Sequence, residues 1–316
     1  MIPRLLPILR AVGRRLHGRT EPGGSAAAGH RRCAEEERVL ENRYTFIGPG
    51  VMGEAMARGL VDRGGVEPGM IRMSGPRPER LRQLAERYQF ETTTDNRKAA
   101  EDAAFVILTV KPQTLDQVMR DLHAAIQPQA LVISIVAGAR LGSLVEGLAH
   151  PNVVRSMPNT PAQVGQGITV WTATDSVTHE QLESARSFFR SFGEDVMVKD
   201  EDYLDMATAL SGTGPTYVYL FMEAMVDAGV HLGFPRRIAE QLVVQTVKGS
   251  VAYYEHSPRH LARLRNEVTS PGGTSAAALY YLDKAGFRTA LSRAIWAAYE
   301  RSTELGQGRK RGEVQL

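Results

Sequence analysis

The apolar positions of the chain keep two rhythms. The runs YTFI, AFVILTV and LVISIV place apolar residues consecutively, as strands covered on both faces of a parallel sheet do. Between them apolar residues return every three or four positions, first at Val51, Met52, Ala55, Met56 and Leu60, until Gly64-Gly65 ends the pattern. Strand and helix therefore alternate, which predicts βαβ units. VVRSMPNTPAQVGQGITVWTAT adds strand around a tight loop at Asn159-Thr160, HEQLESARSFFRSFG reads as a helix, and EDVMVKD as a last short strand.

From Glu201 the helical period takes over. Segments beginning at Glu201, Pro235, Pro258, Thr274 and Phe287 read as helices, with the two prolines at starts and Gly233 and Gly286 at ends. SGTGP at 211–215 is expected to break a helix where the two halves meet, with Thr213 facing the cleft. Several of these helices are apolar nearly all round and need burial. A helical domain of about a hundred residues cannot hide that much surface, so a second copy of the chain is expected against it.

Charge narrows the function. Nine arginines and five glutamates give residues 1–43 a charge of +4 against +3 for all 316 residues, so the remainder is close to −1. The basic pI belongs to the N-terminal stretch, and the body has no electrostatic case for nucleic acid. Cys33 is the single cysteine and lies in that stretch, which excludes disulfides, zinc clusters and a cysteine nucleophile from the folded part; no metal is expected. No apolar run is long enough to span a membrane. Residues 1–20, Arg-rich and without acid, match a mitochondrial-type transit peptide. Pro3 and Pro7 interrupt the amphipathic pattern, so a plain extension and a cytoplasmic enzyme are expected, with mitochondria as the alternative.

The candidate chemistry starts at Gly48-Pro49-Gly50-Val51-Met52-Gly53, which follows a strand and opens a helix. In that context GxGxxG is a dinucleotide fingerprint: Gly48 for the tight turn, Gly50 for approach to the pyrophosphate, Gly53 for helix–strand packing. The second strand ends at Ser74, followed by Arg77 and Arg80 where an NAD enzyme usually carries an acid. A hydroxyl and an arginine suit a 2′-phosphate, so NADPH is expected and NADH possible; Arg80 reads rather as a solvated helix residue. Asn96 reads as an N-cap or a nucleotide contact, the cap favoured by spacing. Val110-Lys111-Pro112 leaves the fourth strand at the end where α/β sheets bind ligands. The expected fold is α/β: an N-terminal Rossmann-type domain with a mostly parallel sheet (44–200), then an all-α C-terminal dimerisation domain (201–307). Residues 1–43 form an extension and 308–316 a tail.

FIGPGVMGEAMARGL, VKPQ, VAGA, SMPNTPAQVG, ATALSGTGPTYVYLFMEAMVDAGVHLGFPR and NEVTSPGGTSAAALYYLDKAGFR, in this order over about 44–307, resemble the pyrroline-5-carboxylate reductases. The resemblance implies reduction of 1-pyrroline-5-carboxylate to L-proline by NAD(P)H, and helical domains that interlock into a homodimer, with larger rings in some assemblies. It assigns Gly48 to Met52, Ser74, Asn96, Val110, Lys111 and Ala137 to the cofactor, and Glu201, Gly273, Thr274 and Ser275 to the substrate. Ser275 stands where the family usually has Thr, and Glu267 where Asn or Asp is usual. The segment SPRHLARLRNEV looks slightly longer than in typical members.

A protonated cyclic imine is already electrophilic, so positioning and charge complementarity can supply most of the acceleration. Gly272 and Gly273 let backbone N–H groups converge on a carboxylate at a helix start, while Thr274 and Ser275 bring hydroxyls to the reacting ring. Glu201, on its own, reads as an acid stabilising a helix start; the resemblance makes it a counter-charge for the ring nitrogen. A β-hydroxyacid dehydrogenase would need a lysine after the domain junction, and none occurs between Glu201 and Gly229. A non-enzymatic NADP-binding protein would lack the substrate residues that TSPGGTS and Glu201 supply.

Overall fold

A computed structural model describes residues 43–306 apart from Pro258. The expectations for residues 1–42, for Pro258 as a helix start and for the tail lie outside the described residues. Arg43 is already buried and donates to Glu91 at 2.6 Å, so it is packed against the sheet one residue before the first strand.

Eight strands form one sheet: β1 (Tyr44–Ile47), β2 (Ile71–Ser74), β3 (Glu91–Thr93), β4 (Phe105–Leu108), β5 (Leu131–Ser134), β6 (Val153–Met157), β7 (Gly167–Ala173) and β8 (Gly193–Met197). Their order is β3-β2-β1-β4-β5-β6-β7-β8. All neighbours are parallel except β6 and β7. That exception follows from the connection: only a short 3-10 turn, Thr160–Val164, separates them, too little chain for a crossover. β3 carries no apolar run, being a short polar edge strand.

The helices of this part are α1 (Val51–Asp62), α2 (Pro78–Tyr88), α3 (Asn96–Ala100), α4 (Pro112–Leu122), α5 (Leu141–Leu148) and α6 (His179–Arg190). Successive strand residues feed two cores, as the two-residue strand period requires. Phe46 and Ile107 join Met56, Leu60, Trp171 and Phe188 on one side of the sheet. Ile47, Val106 and Leu108 join Leu115, Val118 and Leu144 on the other. On the first side Phe188 meets Phe192 edge-on at 5.3 Å, a geometry that adds to plain area burial.

After β8 only helices follow: α7 (Tyr203–Ala207), α8 (Gly214–His231), α9 (Arg236–His256), α10 (Leu261–Glu267), α11 (Thr274–Lys284) and α12 (Phe287–Gly306). Pro235 directly precedes α9, and Gly233 and Gly286 take positive φ of 106° and 70° beyond helix ends. SGTGP does not break the helix. Residues Thr208–Gly212 form a π-helical turn that passes the chain from α7 to α8. The Thr213 hydroxyl donates to the Thr208 carbonyl at 2.8 Å; it closes that turn instead of facing the cleft. α8 packs on α9, α11 on α12, and α12 on α7 and the π turn. Val226, Ala239 and Val243 make the only buried apolar cluster of α8 and α9 among the described residues, whereas Tyr281 is 69% and Trp296 63% exposed. No described helix is long and apolar enough to cross a membrane.

Candidate active site

The strand order reverses between β1 and β4, and the fingerprint turn lies at the carboxyl end of that junction, where open α/β sheets take ligands. Gly48 holds φ +109°, and a Cβ there would meet the Thr109 carbonyl at 2.8 Å; only glycine suits this turn. A Cβ on Gly53 would strike the Gly48 carbonyl oxygen at 2.8 Å. Thr109, which the sequence did not single out, donates its hydroxyl to that same oxygen at 2.6 Å and so ties β4 to the turn. Gly50 is the N-cap of α1 and supplies no side-chain cap. The first N–H groups of this twelve-residue helix are therefore open to an anion. A dinucleotide pyrophosphate fits that arrangement, with Pro49, Val51 and Met52 beside it.

At the end of β2 the buried Ser74 hydroxyl donates to Asn96 Oδ1 at 2.7 Å, and Asn96 Nδ2 donates to Asp121 at 3.0 Å. Asn96 is not the cap of α3. Asp95 is, accepting from the N–H groups of Arg97 and Lys98; a carboxylate one residue earlier reaches both donors, leaving the Asn96 amide for Ser74. Arg77 is exposed, and its guanidinium makes no hydrogen bond or ion pair among the described residues. Arg80 is neither solvated nor free. It pairs with Glu54 and donates to the Pro49 carbonyl at 3.1 Å, bracing the fingerprint turn from α2. Burial pushes the Glu54 carboxyl up, but the Tyr88 hydroxyl and Arg80 outweigh it and hold the group below its ordinary range.

Val110, Lys111 and Pro112 follow β4 on the other flank of the crevice, with Lys111 capping α4 and Pro112 as its first residue. Ala137 lies half-buried in the loop after β5, the next strand of the sheet.

The segment 269–275 joins α10 to α11. Gly272 has φ +70°, and Gly273 is the N-cap of α11 with no side-chain cap. Thr274 and Ser275 occupy the first turn, with the Ser275 side chain half-buried. Glu267 is held by Arg259 at 2.8 Å and Arg263 at 3.3 Å.

Glu201 stands apart from the other substrate candidates. It precedes α7 rather than lying in its first turn, and its Oε1 accepts from the Leu141 N–H and from Arg155 Nη1, both at 2.8 Å. In the single chain its carboxylate serves β6 and α5, not the segment that carries Ser275. Arg155 and Asp205 escaped sequence reading. The signal available was one arginine inside the apolar run VVRSM.

Two family models match the chain: "Pyrroline-5-carboxylate reductase dimerisation" over residues 201–305 and "NADP oxidoreductase coenzyme F420-dependent" over residues 43–138. A pyrroline-5-carboxylate reductase of Synechocystis is 41% identical over 262 residues, 83% of this chain and 97% of that protein. The Escherichia coli protein of the same name is 34% identical over 269 residues, 85% of this chain and all of its own length. A Plasmodium falciparum pyrroline carboxylate reductase, solved with NADP bound, superposes with a TM-score of 0.78 at 32% identity, covering 84% of this chain and 99% of that one. The Coxiella burnetii pyrroline-5-carboxylate reductase gives 0.77 at 34% identity, covering 85% and 99%. With both halves of its sequence matched in this way, the chain belongs to the pyrroline-5-carboxylate reductase family.

Proposed function

We propose that two open helix N-termini do the binding: α1 takes the pyrophosphate of NADPH and α11 takes the carboxylate of 1-pyrroline-5-carboxylate. The observation that carries this reading is the absence of a side-chain cap at both Gly50 and Gly273, since uncapped N–H groups with the helix dipole behind them favour an anion. Bound NADPH supplies a hydride from nicotinamide C4 to the carbon of the protonated C=N bond, giving L-proline and NADP⁺; NADH serves less well.

The residues divide the work by position. Gly48 to Gly53 hold the pyrophosphate, Ser74, Asn96 and Arg77 the adenosine ribose with its 2′-phosphate, and Val110, Lys111, Pro112 and Ala137 the other end. Thr274 and Ser275 fix the substrate carboxylate through their backbone N–H groups, with Gly272 and Gly273 shaping the turn before them. The Ser275 hydroxyl orients the ring nitrogen, with Thr274 beside it, so that the imine carbon meets the donor in one pose. No strong acid is needed, because the imine nitrogen already carries its proton.

The exposed apolar residues of α8, α9, α11 and α12 are covered by a second copy, making a homodimer; rings of dimers are the larger state to look for. The α/β part (44–200) and the helical part (201–307) act as separate domains, and the enzyme works in the cytoplasm. Absorbance of NADPH, followed with 1-pyrroline-5-carboxylate and repeated with NADH, tests the reading. Consumption of NADPH matched by L-proline supports it; nucleotide binding without oxidation sinks it.

A further inference from the structure

We propose that Arg155, Glu201 and Asp205 form a buried clamp that positions the loop 135–140, and Ala137 with it, against the nucleotide. Glu201 is then a positioning residue and not a substrate ligand. The inference rests on the assignment of Ala137 to the nucleotide made above.

Arg155 lies in the middle of β6 and is 3% exposed. A guanidinium so placed requires anions within hydrogen-bond reach, and it has two: Glu201 at 2.8 Å and Asp205 at 3.1 Å. The same Glu201 oxygen accepts from the N–H of Leu141, the first residue of α5. One atom thus ties β6 to the end of the loop. Arg140, one residue earlier, reaches Asp202 at 2.8 Å and Asp205 at 3.6 Å. From the far side α12 closes the grip. The Ser302 hydroxyl donates to Asp205 at 2.8 Å, and a Cβ on Gly138 would meet the Gly306 nitrogen at 2.9 Å. The loop therefore has no room to shift towards α12 and is held by charge at its α5 end.

Its place gives the clamp a consequence. The loop leaves β5, which lies beside β4, so it flanks the crevice at the β1–β4 reversal. Ala137 sits between the close contact at Gly138 and the end of β5. Recruiting Glu201 to a substrate cation would strip a buried arginine of one of its two carboxylates, which is unfavourable.

The test is a fluorescence titration of NADPH and NADH into the full-length protein, alongside the KM for the imine and the melting temperature. Glu201→Ala is expected to weaken both nucleotides alike, by about tenfold, with the imine KM within about twofold of wild type. Glu201→Gln, whose amide oxygen still accepts from Leu141, should recover most of that loss. Asp202→Asn, at an exposed position, should weaken NADPH about threefold, and decides the matter if Glu201→Ala does not fold. A raised imine KM with unchanged nucleotide affinity would return Glu201 to the substrate. A lowered melting temperature with all affinities intact would make the cluster structural only. Ala137→Trp separates the underlying assumption: if it leaves nucleotide affinity unchanged, the Ala137 assignment fails and the clamp's role with it. If it weakens binding while the Glu201 and Asp202 variants do not, the clamp alone is wrong.

Discussion

Ser275 and Arg77 carry the sharpest expectations at the scale of single residues, because each is asked to recognise one group. Ser275 sits in the first turn of α11 behind an uncapped Gly273, and in the proposed reading its hydroxyl orients a ring bound by its carboxylate. Ser275→Ala is therefore expected to lower kcat about 100-fold while NADPH affinity, measured by titration, stays within a factor of about two. Unchanged kinetics would remove it from the mechanism. Arg77 is exposed at the start of α2 with no partner for its guanidinium among the described residues, and a 2′-phosphate would supply one. Arg77→Ala should raise the Kd for NADPH about tenfold and that for NADH hardly at all; equal losses would refute the phosphate reading. Arg80 shows how near neighbours diverge. It sits three positions along, but Glu54 and the Pro49 carbonyl already hold it.

The brace of Arg80, Glu54 and Tyr88 belongs to the scale of elements, since it fastens α2 to α1. Glu54 has a folded pKa below its ordinary 4.5, so the folded state binds its proton less readily than the unfolded chain. Its stabilising contribution is present above that ordinary value and is lost as pH falls through the lower, folded one. Urea midpoints of wild type and Glu54→Gln should therefore differ near about pH 6 and converge towards about pH 3; a gap that widens on acidification would reverse the assignment.

Elements also mark what was legible in the sequence. Strands with consecutive apolar residues, such as β4 and β5, announced themselves, as did the helices after residue 201. β3 did not, because a polar edge strand has no hydrophobic rhythm. The π turn at 208–212 did not either: glycines and hydroxyls suggested a break, while the Thr208 carbonyl accepts both the amide and the hydroxyl of Thr213 and keeps the chain helical. The fingerprint turn was readable because strand, glycines and helix adjoin in sequence. The Arg155 cluster was not, because its members come from β6, the turn before α7, and α7 itself, and only folding brings them together.

Across the whole molecule the two halves differ in how they are buried. The sheet has a core on each side, whereas the helices after 201 leave Leu220, Tyr281 and Trp296 open. An exposed apolar surface of that extent marks an association site. Leu220→Asp, on α8, is expected to shift the protein from dimer to monomer in light scattering and to abolish turnover, while NADPH binding at α1 survives. A variant that stays dimeric and fully active would show that α8 does not carry the contact.

The two open helix N-termini are tested most directly by a crystal structure of the protein with NADP⁺ and L-proline bound. The pyrophosphate is expected on the first turn of α1, and the proline carboxylate within hydrogen-bonding distance of the N–H groups of Thr274 and Ser275, the first two of α11. A carboxylate bound elsewhere, with that segment empty, would contradict it.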